Sequence, residues 1–511
     1  MAFRKKLIEV ALPLEAINIE SDRDKRLRHK HPSTVHYWWA RRPLAACRAM
    51  LFASLIDDPS SWPELFPSEE AQERERERLF GIIEELIRWE SAYNAKIIKR
   101  AQEEIAKNIA RSIGERAPTD DDRIRRYIAE KAPPVLDPFC GRGIIPLEAQ
   151  RLGLNTYAGD LNPVAVLITK ALIEIPPKFA GKPPVNPEAR EKKGLVEKEW
   201  RGAEGLAEDV RYYGRWMRDE AEKRIGHLYP KVKVTEEMAR ERPDLKPYVG
   251  QELTVIAWLW ARTVPSPNPA CKGAYVPLVR SFWLSTKKGK EAYVEPAVDR
   301  QNNIYHFEIR VGKPTSGFNP GKGTIGRQGG RCLLTDEPMP FQHIRQEGQE
   351  GRMKERLMAI VAEGTRGRIY LSPLEEHVKA AKKAEPEWRP EHNLPNNPRD
   401  FKTPNYGMTT FASLFTDRQL VALTTFSDLV GEAREKVLAD AMAAGTLPDD
   451  DRTLDSGGIG PIAYADAVAT YLAFGVSKLA DYGSTITTWH TSKHLIRNTF
   501  SRQAIPMTWD F

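Results

Sequence analysis

Cysteine is scarce in this chain: Cys47, Cys140, Cys271 and Cys332 are the only four in 511 residues, too scattered for a disulfide framework and consistent with a reducing compartment. Long apolar runs are missing as well. No stretch approaches the roughly 18 apolar residues of a membrane span, so no membrane partner is expected. The opening MAFRKKLIEVALPLEAINIE is basic, but Glu9, Pro13 and Glu15 break its apolar stretch, which argues against a secretory signal and for a cytoplasmic location. A strong charge of one sign is lacking too: the formal +7 is compatible with a polyanionic partner without requiring one. What remains, 41% hydrophobic and 29% charged residues, is ordinary for a globular protein, and the length accommodates about two to four domains.

From Ser21 to Pro43 the chain reads SDRDKRLRHKHPSTVHYWWARRP, dense in Lys, Arg and His and interleaved with Tyr37, Trp38 and Trp39, a pattern suited to a contact surface. Leu44, Cys47, Leu51 and Leu55 then recur at helical spacing and predict a helix over Leu44 to Ile56. Leu79, Ile82, Ile83, Leu86 and Ile87 predict an amphipathic helix within an inserted hairpin, with EEAQERERER as its solvated face. The stretch PPVLDPFCGRGIIPLEAQRLGLNTYAGDLNPVAVLITKALIEI runs strand, Gly turn, helix, strand, turn, helix. From Leu253 to Val311, β-branched and aromatic runs separated by Pro, Gly, Lys and Asn predict a β-rich module. Helical patterns follow at Asp417 to Ala444 and Ile462 to Asp481, then a strand, STITTWH. The expected segments are 1–60, a helical insertion over 61–131, a core over 132–250, the β-rich module over 251–345, and a helical continuation over 346–511.

The turn after VLDPF carries the chemical argument. Gly141 and Gly143 can take backbone angles closed to other residues, and the helix from about Pro146 would direct its positive end toward a ligand. A dinucleotide site wants a third glycine three residues after the second, where this chain has Pro146, so a nicotinamide or flavin is disfavoured. A cofactor without phosphates fits better: Asp137 can accept from a cationic amino group, and Asp160, about 20 residues on, from a ribose hydroxyl pair. The competing reading is a turn-and-cap device with no ligand. Cys140 is preceded by Phe139, not Pro, and is not assigned as a nucleophile. His29, His31 and His36 lie in so basic a stretch that contacts or helix caps are expected of them rather than metal ligation.

DPFCGRG followed by GDLNPVAV resembles motifs I and II of DNA adenine-N6 and cytosine-N4 methyltransferases, and HPSTVHYWWARRPLAACRA resembles their motif X. The phrases LEAINIES, HYWWARRPLAA, EIPPKFAGKPPVNP, PLVRSFWLS, TFASLFTDRQLVALTTFSDLV and IRNTFSRQAIPMTWDF are similar to the N-terminal portion of the DUF1156 family of adenine-specific DNA methylases found in phage-defence and modification gene clusters. The resemblance implies an α/β fold: an incomplete Rossmann-like S-adenosylmethionine-dependent methyltransferase core with a helical insertion and a β-rich, zinc-ribbon-like module. It implies S-adenosylmethionine held by Asp137, Pro138, Phe139, Gly141 and Gly143 at the methionine end and by Asp160 and Asn162 at the ribose. His31 and Pro32 belong to the flanking wall that runs to Pro43.

Two departures qualify the resemblance. Amino methyltransferases need a D/N/S-P-P-Y/F/W element to hold and stack the target base, and none occurs here; Ile175-Pro176-Pro177-Lys178-Phe179 and Ser266-Pro267-Asn268-Pro269 are read as turns. The catalytic residues are therefore unknown, and the chain alone is expected to transfer methyl groups weakly or not at all, either as a truncated product or beside a partner polypeptide that carries the element. Secondly, Ser266 with Cys271, and Cys332 with Asp336, stand where the family has paired cysteines, so bound zinc is not expected and packing of Trp258, Trp260, Phe282 and Trp283 is expected to hold the module. The expected function is amino-methylation of DNA, adenine N6 ahead of cytosine N4, within a restriction-modification or phage-defence system whose proteins are its partners. The alternatives are a non-catalytic cofactor- and DNA-binding subunit of a defence complex, and an RNA base methyltransferase.

Overall fold

The computed structural model describes residues 4–27, 31–191, 199–314, 317–365, 367–500 and 504–511. Contacts divide the chain into two compact units, Met1–Tyr212 with Arg434–Phe474 and Tyr213–Ala433 with Gly475–Phe511. Among the described residues no helix is long and apolar enough to cross a membrane.

The first unit opens with helices α1 (Leu14–Arg26), α2 (Leu44–Leu55), α3 (Glu69–Leu86), α4 (Ala95–Ile113) and α5 (Asp121–Lys131). Ser68 starts α3 by accepting the Ala71 N–H, with Glu69 and Glu70 in the first turn where the helix dipole favours acids. Asn94 caps α4, which ends on Gly114 at φ +74°. The apolar stripe Leu79, Ile82, Ile83 and Leu86 packs with Phe52, Ile105 and Ile128 into one core, each such side chain contributing about 1.5–3 kcal/mol. The charged face of α3 is laced by ion pairs of Arg78 with Glu75 and Glu104, both 2.7 Å.

Strand β1 (Val135–Asp137), helix α6 (Ile144–Arg151), strand β2 (Thr156–Ala158) and helix α7 (Pro163–Ile173) follow. β1 and β2 pair in parallel, Asp137 opposite Ala158. A buried ion pair ties α6 to α2: Arg48 Nε donates to Glu148 Oε2 at 2.5 Å, Arg48 Nη1 donates to the Leu86 carbonyl at 2.6 Å, and Arg151 also pairs with Glu148.

In the second unit a four-stranded antiparallel sheet is built from β3 (Val255–Pro265), β4 (Tyr275–Leu278), β8 (Lys354–Gly364) and β9 (Gly367–Leu371), in the order β9-β8-β3-β4. A three-stranded antiparallel sheet runs β5 (Trp283–Ser285), β6 (Ala292–Asp299), β7 (Ile304–Val311). Helix α8 (Glu375–Lys382) follows β9, and the later hairpin pairs β10 (Thr488–His490) with β11 (Leu495–Arg497). Helices over Asp417–Ala444 (α9) and Pro461–Tyr482 (α10) match the helical patterns of the sequence.

This architecture corrects the expected fold class. Among the named strands of the described residues, β1 with β2 is the one parallel pair, and every other pairing is antiparallel in a small sheet. Parallel sheets are stable when both faces are covered by crossover helices, whereas here Leu136 is 71% and Tyr157 63% exposed. A mixed α/β protein of small sheets replaces the Rossmann-like core. The zinc-ribbon-like module is overturned as well. No group of three or more His, Cys, Asp or Glu among the described residues could hold a metal, and all four cysteines are free. Cys271 and Cys332 are instead members of the apolar core, with Ser266 Oγ 3.3 Å from Cys332 Sγ. Trp260 and Phe282 are buried in this unit, Trp258 and Trp283 half-buried.

Candidate functional site

Asp137 closes β1, and the six residues after it form a loop that returns to β2 through backbone hydrogen bonds: Gly159 N–H donates to the Asp137 carbonyl and Cys140 N–H to the Gly159 carbonyl, both at 2.9 Å. Gly141 and Gly143 stand at φ +53° and +73°, a region where side chains cost energy. Close packing adds a second reason for glycine at both places. A Cβ on Gly141 would lie 2.8 Å from Trp38 Nε1, and one on Gly143 would lie 2.7 Å from Thr169 Oγ1. Thr169, on α7, also donates to the Gly141 carbonyl at 3.3 Å.

Asp160 lies beyond β2 and holds both turns: Oδ2 accepts the Gly141 N–H at 2.9 Å, and Oδ1 accepts the Asn162 N–H at 2.9 Å. Asn162 in turn caps α7 by accepting from Val164 N–H at 3.0 Å, with Pro163 at the first helical position. Asp137 Oδ1 accepts from Phe139 N–H at 3.3 Å. Partial burial, together with the nearby Asp160, lifts the Asp137 carboxyl above the usual carboxylate range, against that hydrogen bond and Arg42. The Asp137 and Asp160 carboxylates are thus neighbours beside the paired ends of β1 and β2. Around them Phe139 is 82% and Leu161 96% exposed, and Pro138 is exposed as well.

His31 has a different surrounding. Its Nδ1 accepts from Ser33 N–H at 3.1 Å, so the ring proton lies on Nε2, which donates to Asp24 Oδ1 at 3.0 Å. The ring is stacked on Trp89 at 5.4 Å, and Pro32 begins the short helical turn that His31 caps. Asp24 Oδ2 accepts from Leu44 N–H at 2.7 Å, so this group anchors the start of α2. His31, Arg42 and Arg142 line a cavity of about 10 Å³, room for about one water. His36 is half-buried and contacts Phe474, while His29 lies outside the described residues.

The loop's own Arg142 is buried, with Nε unpartnered, and burial followed by Arg41 pushes its guanidinium down to about 10. Cys140 is buried, its Sγ 3.4 Å from Thr169 Oγ1, and burial raises its thiol, the opposite of an activated nucleophile. Trp38 and Thr169 position the loop most directly. A tryptophan pair in a basic segment announced the first; the second shows only as a lone hydroxyl in the apolar run PVAVLITKALI.

The family described as "Protein of unknown function (DUF1156)" matches residues 11–82. The matched stretch spans α1 and α2 and most of α3, and ends before the loop. No curated protein and no solved structure matches the chain.

Proposed function

We propose that the chain is the S-adenosylmethionine-binding component of a DNA amino-methyltransferase, with adenine N6 as the favoured target, in a restriction-modification or phage-defence system. The observation that carries the reading is the convergence of Asp137 and Asp160 on one glycine loop from the ends of two adjacent strands. The residues suit such a cofactor: an accessible carboxylate for the α-amino group at Asp137, a second carboxylate whose oxygens each retain acceptor capacity for ribose hydroxyls at Asp160, and exposed apolar surface at Phe139 and Leu161. Gly141, Gly143 and Pro138 shape the loop between them, and Asn162 sets the turn beyond. His31 and Pro32 act at a distance by holding the segment that carries Trp38 against Gly141. When bound, the cofactor supplies a sulfonium-activated methyl group; this chain's residues orient it.

The target-holding D/N/S-P-P-aromatic element is to be supplied from outside these 511 residues, by further residues of the same protein or by a partner polypeptide. Exposed Leu136, Tyr157, Leu161 and Val164 on and beside the two-stranded pair support a protein partner there. The second reading is a cofactor-sensing and DNA-binding subunit without transfer activity. Calorimetric titration of S-adenosylmethionine into the purified chain tests the shared cofactor step. Addition of a polypeptide bearing the element to a methyl-transfer assay on DNA and RNA then separates enzyme from sensor, and DNA from RNA.

A further inference from the structure

The second unit contains a cavity of about 1600 Å³ that the cofactor reading does not use. Its floor is formed by β3 and β8, where Arg262 pairs with Glu355 across the strands and Trp260 with Leu357. Among the cations in its wall, Arg262 and Arg418 are already engaged. Arg262 donates to the carbonyls of Thr508 at 2.8 Å and Thr485 at 3.1 Å, with its guanidinium 4.9 Å from the Phe511 ring centre. Arg418 donates to the Leu228 carbonyl at 3.2 Å and lies 4.3 Å over the Trp258 ring.

Glu355 lies on β8 opposite Arg262 and is exposed. Its side chain is open to the cavity and makes no ion pair or hydrogen bond among the described residues. Enclosure by protein raises its carboxyl above the usual range, Arg262 and Arg418 oppose that, and Asp417 adds to it. An exposed carboxylate at a cavity that also carries ring surface, with no protein donor on its oxygens among the described residues, can accept from a ligand that brings N–H donors on a flat ring. Phe415, two residues before Asp417, and Tyr482, 48% exposed, line the same cavity with ring surface available. The exposed Lys382 on α8 has no ion pair among the described residues and supplies a cation at the wall.

We infer that this cavity binds a guanine base, Glu355 accepting from the two neighbouring donors of the ring edge, N1–H and the 2-amino group, while Phe415 or Tyr482 stacks on the ring. Adenine and cytosine offer one donor beside a ring acceptor, which meets an acceptor-only carboxylate less well. The volume exceeds the 300–1,000 Å³ or so of common small-molecule sites, leaving space for the sugar and phosphate, the latter near Lys382.

The test is quenching of tryptophan fluorescence in the full chain by GMP, AMP and CMP, and by short single-stranded oligonucleotides with or without a guanine. The expected result is saturable binding with a guanine preference of about tenfold or more, lost in Glu355→Gln, whose amide opposes one donor with another. Phe415→Ala, in contrast, weakens all bases together and keeps the preference. Tight binding of GMP identifies a free nucleotide as the source; binding of the guanine oligonucleotide alone identifies a strand. Absence of any guanine preference in the folded wild-type chain, or its persistence in a folded Glu355→Gln, overturns the inference.

Discussion

Asp160 accepts the backbone N–H of Gly141 at 2.9 Å, and through that bond the end of β2 dictates the shape of the loop that follows β1. A carboxylate placed this way fixes the turn and keeps further lone pairs, which the proposed reading gives to ribose hydroxyls. Asp160→Asn keeps one oxygen for the turn and halves the acceptor set. It is expected to retain the fold by circular dichroism and to weaken S-adenosylmethionine binding by about ten- to a hundredfold, as loss of a charged hydrogen bond of about 1.5–3 kcal/mol implies.

The glycine positions separate packing from ligand contact. Gly143→Ala places a Cβ at 2.7 Å from Thr169 Oγ1 at a positive φ and is expected to cost about 1–3 kcal/mol of stability. Gly81→Ala, within α3 and with nothing within 4 Å of the added carbon, is expected to gain about 0.5–1 kcal/mol. Thermal unfolding of the two variants checks both signs; equal shifts would refute the packing role given to Thr169.

Much of the local structure was legible because its causes are local. The glycines of DPFCGRG, the Asn162-Pro163 cap and the stripe of Leu79, Ile82, Ile83 and Leu86 each act within a few residues. The sheets were not legible. β3 takes β8 as its partner from about a hundred residues away, and no periodicity in either strand names the other. β1 and β2 read as the start of a parallel sheet because the sequence shows the unit and not the number of its neighbours. His31 illustrates the same limit at the site: its cap on Ser33 follows from the adjacent residues, but Trp89, which stacks on it, lies in another element.

Arg48 and Glu148 form a buried pair, 1% and 0% exposed. Arg48→Met strands the Glu148 carboxylate with Arg151 alone and breaks the bond to the Leu86 carbonyl, an expected loss of about 3 kcal/mol or more. The double variant Arg48→Met/Glu148→Leu removes both charges and is expected to recover much of it. Urea unfolding of single and double variants reads the difference, and a double variant weaker than the single would contradict the assignment.

His377 is expected to make the second unit sensitive to acid. Its Nδ1 accepts from Trp258 Nε1–H at 2.8 Å, which leaves the proton on a buried, unpartnered Nε2. Burial, then Arg418, pushes the ring down to about 4. Between that value and about 6.5 the unfolded chain binds a proton that the folded chain does not, so stability is complete above this window and lost as pH falls through it. The expected loss from pH 7 to pH 5 is about 2 kcal/mol. In His377→Phe that slope should flatten, and an unchanged slope would assign the sensitivity to another group.

The central claim is cofactor binding at the Asp137–Asp160 loop, and calorimetric titration of S-adenosylmethionine into the purified chain, with Asp160→Ala as control, tests it most directly. The account predicts saturable one-to-one binding in the wild-type chain and its loss in the variant. A folded wild-type chain that takes up no S-adenosylmethionine, or binds it equally well without Asp160, would contradict the account.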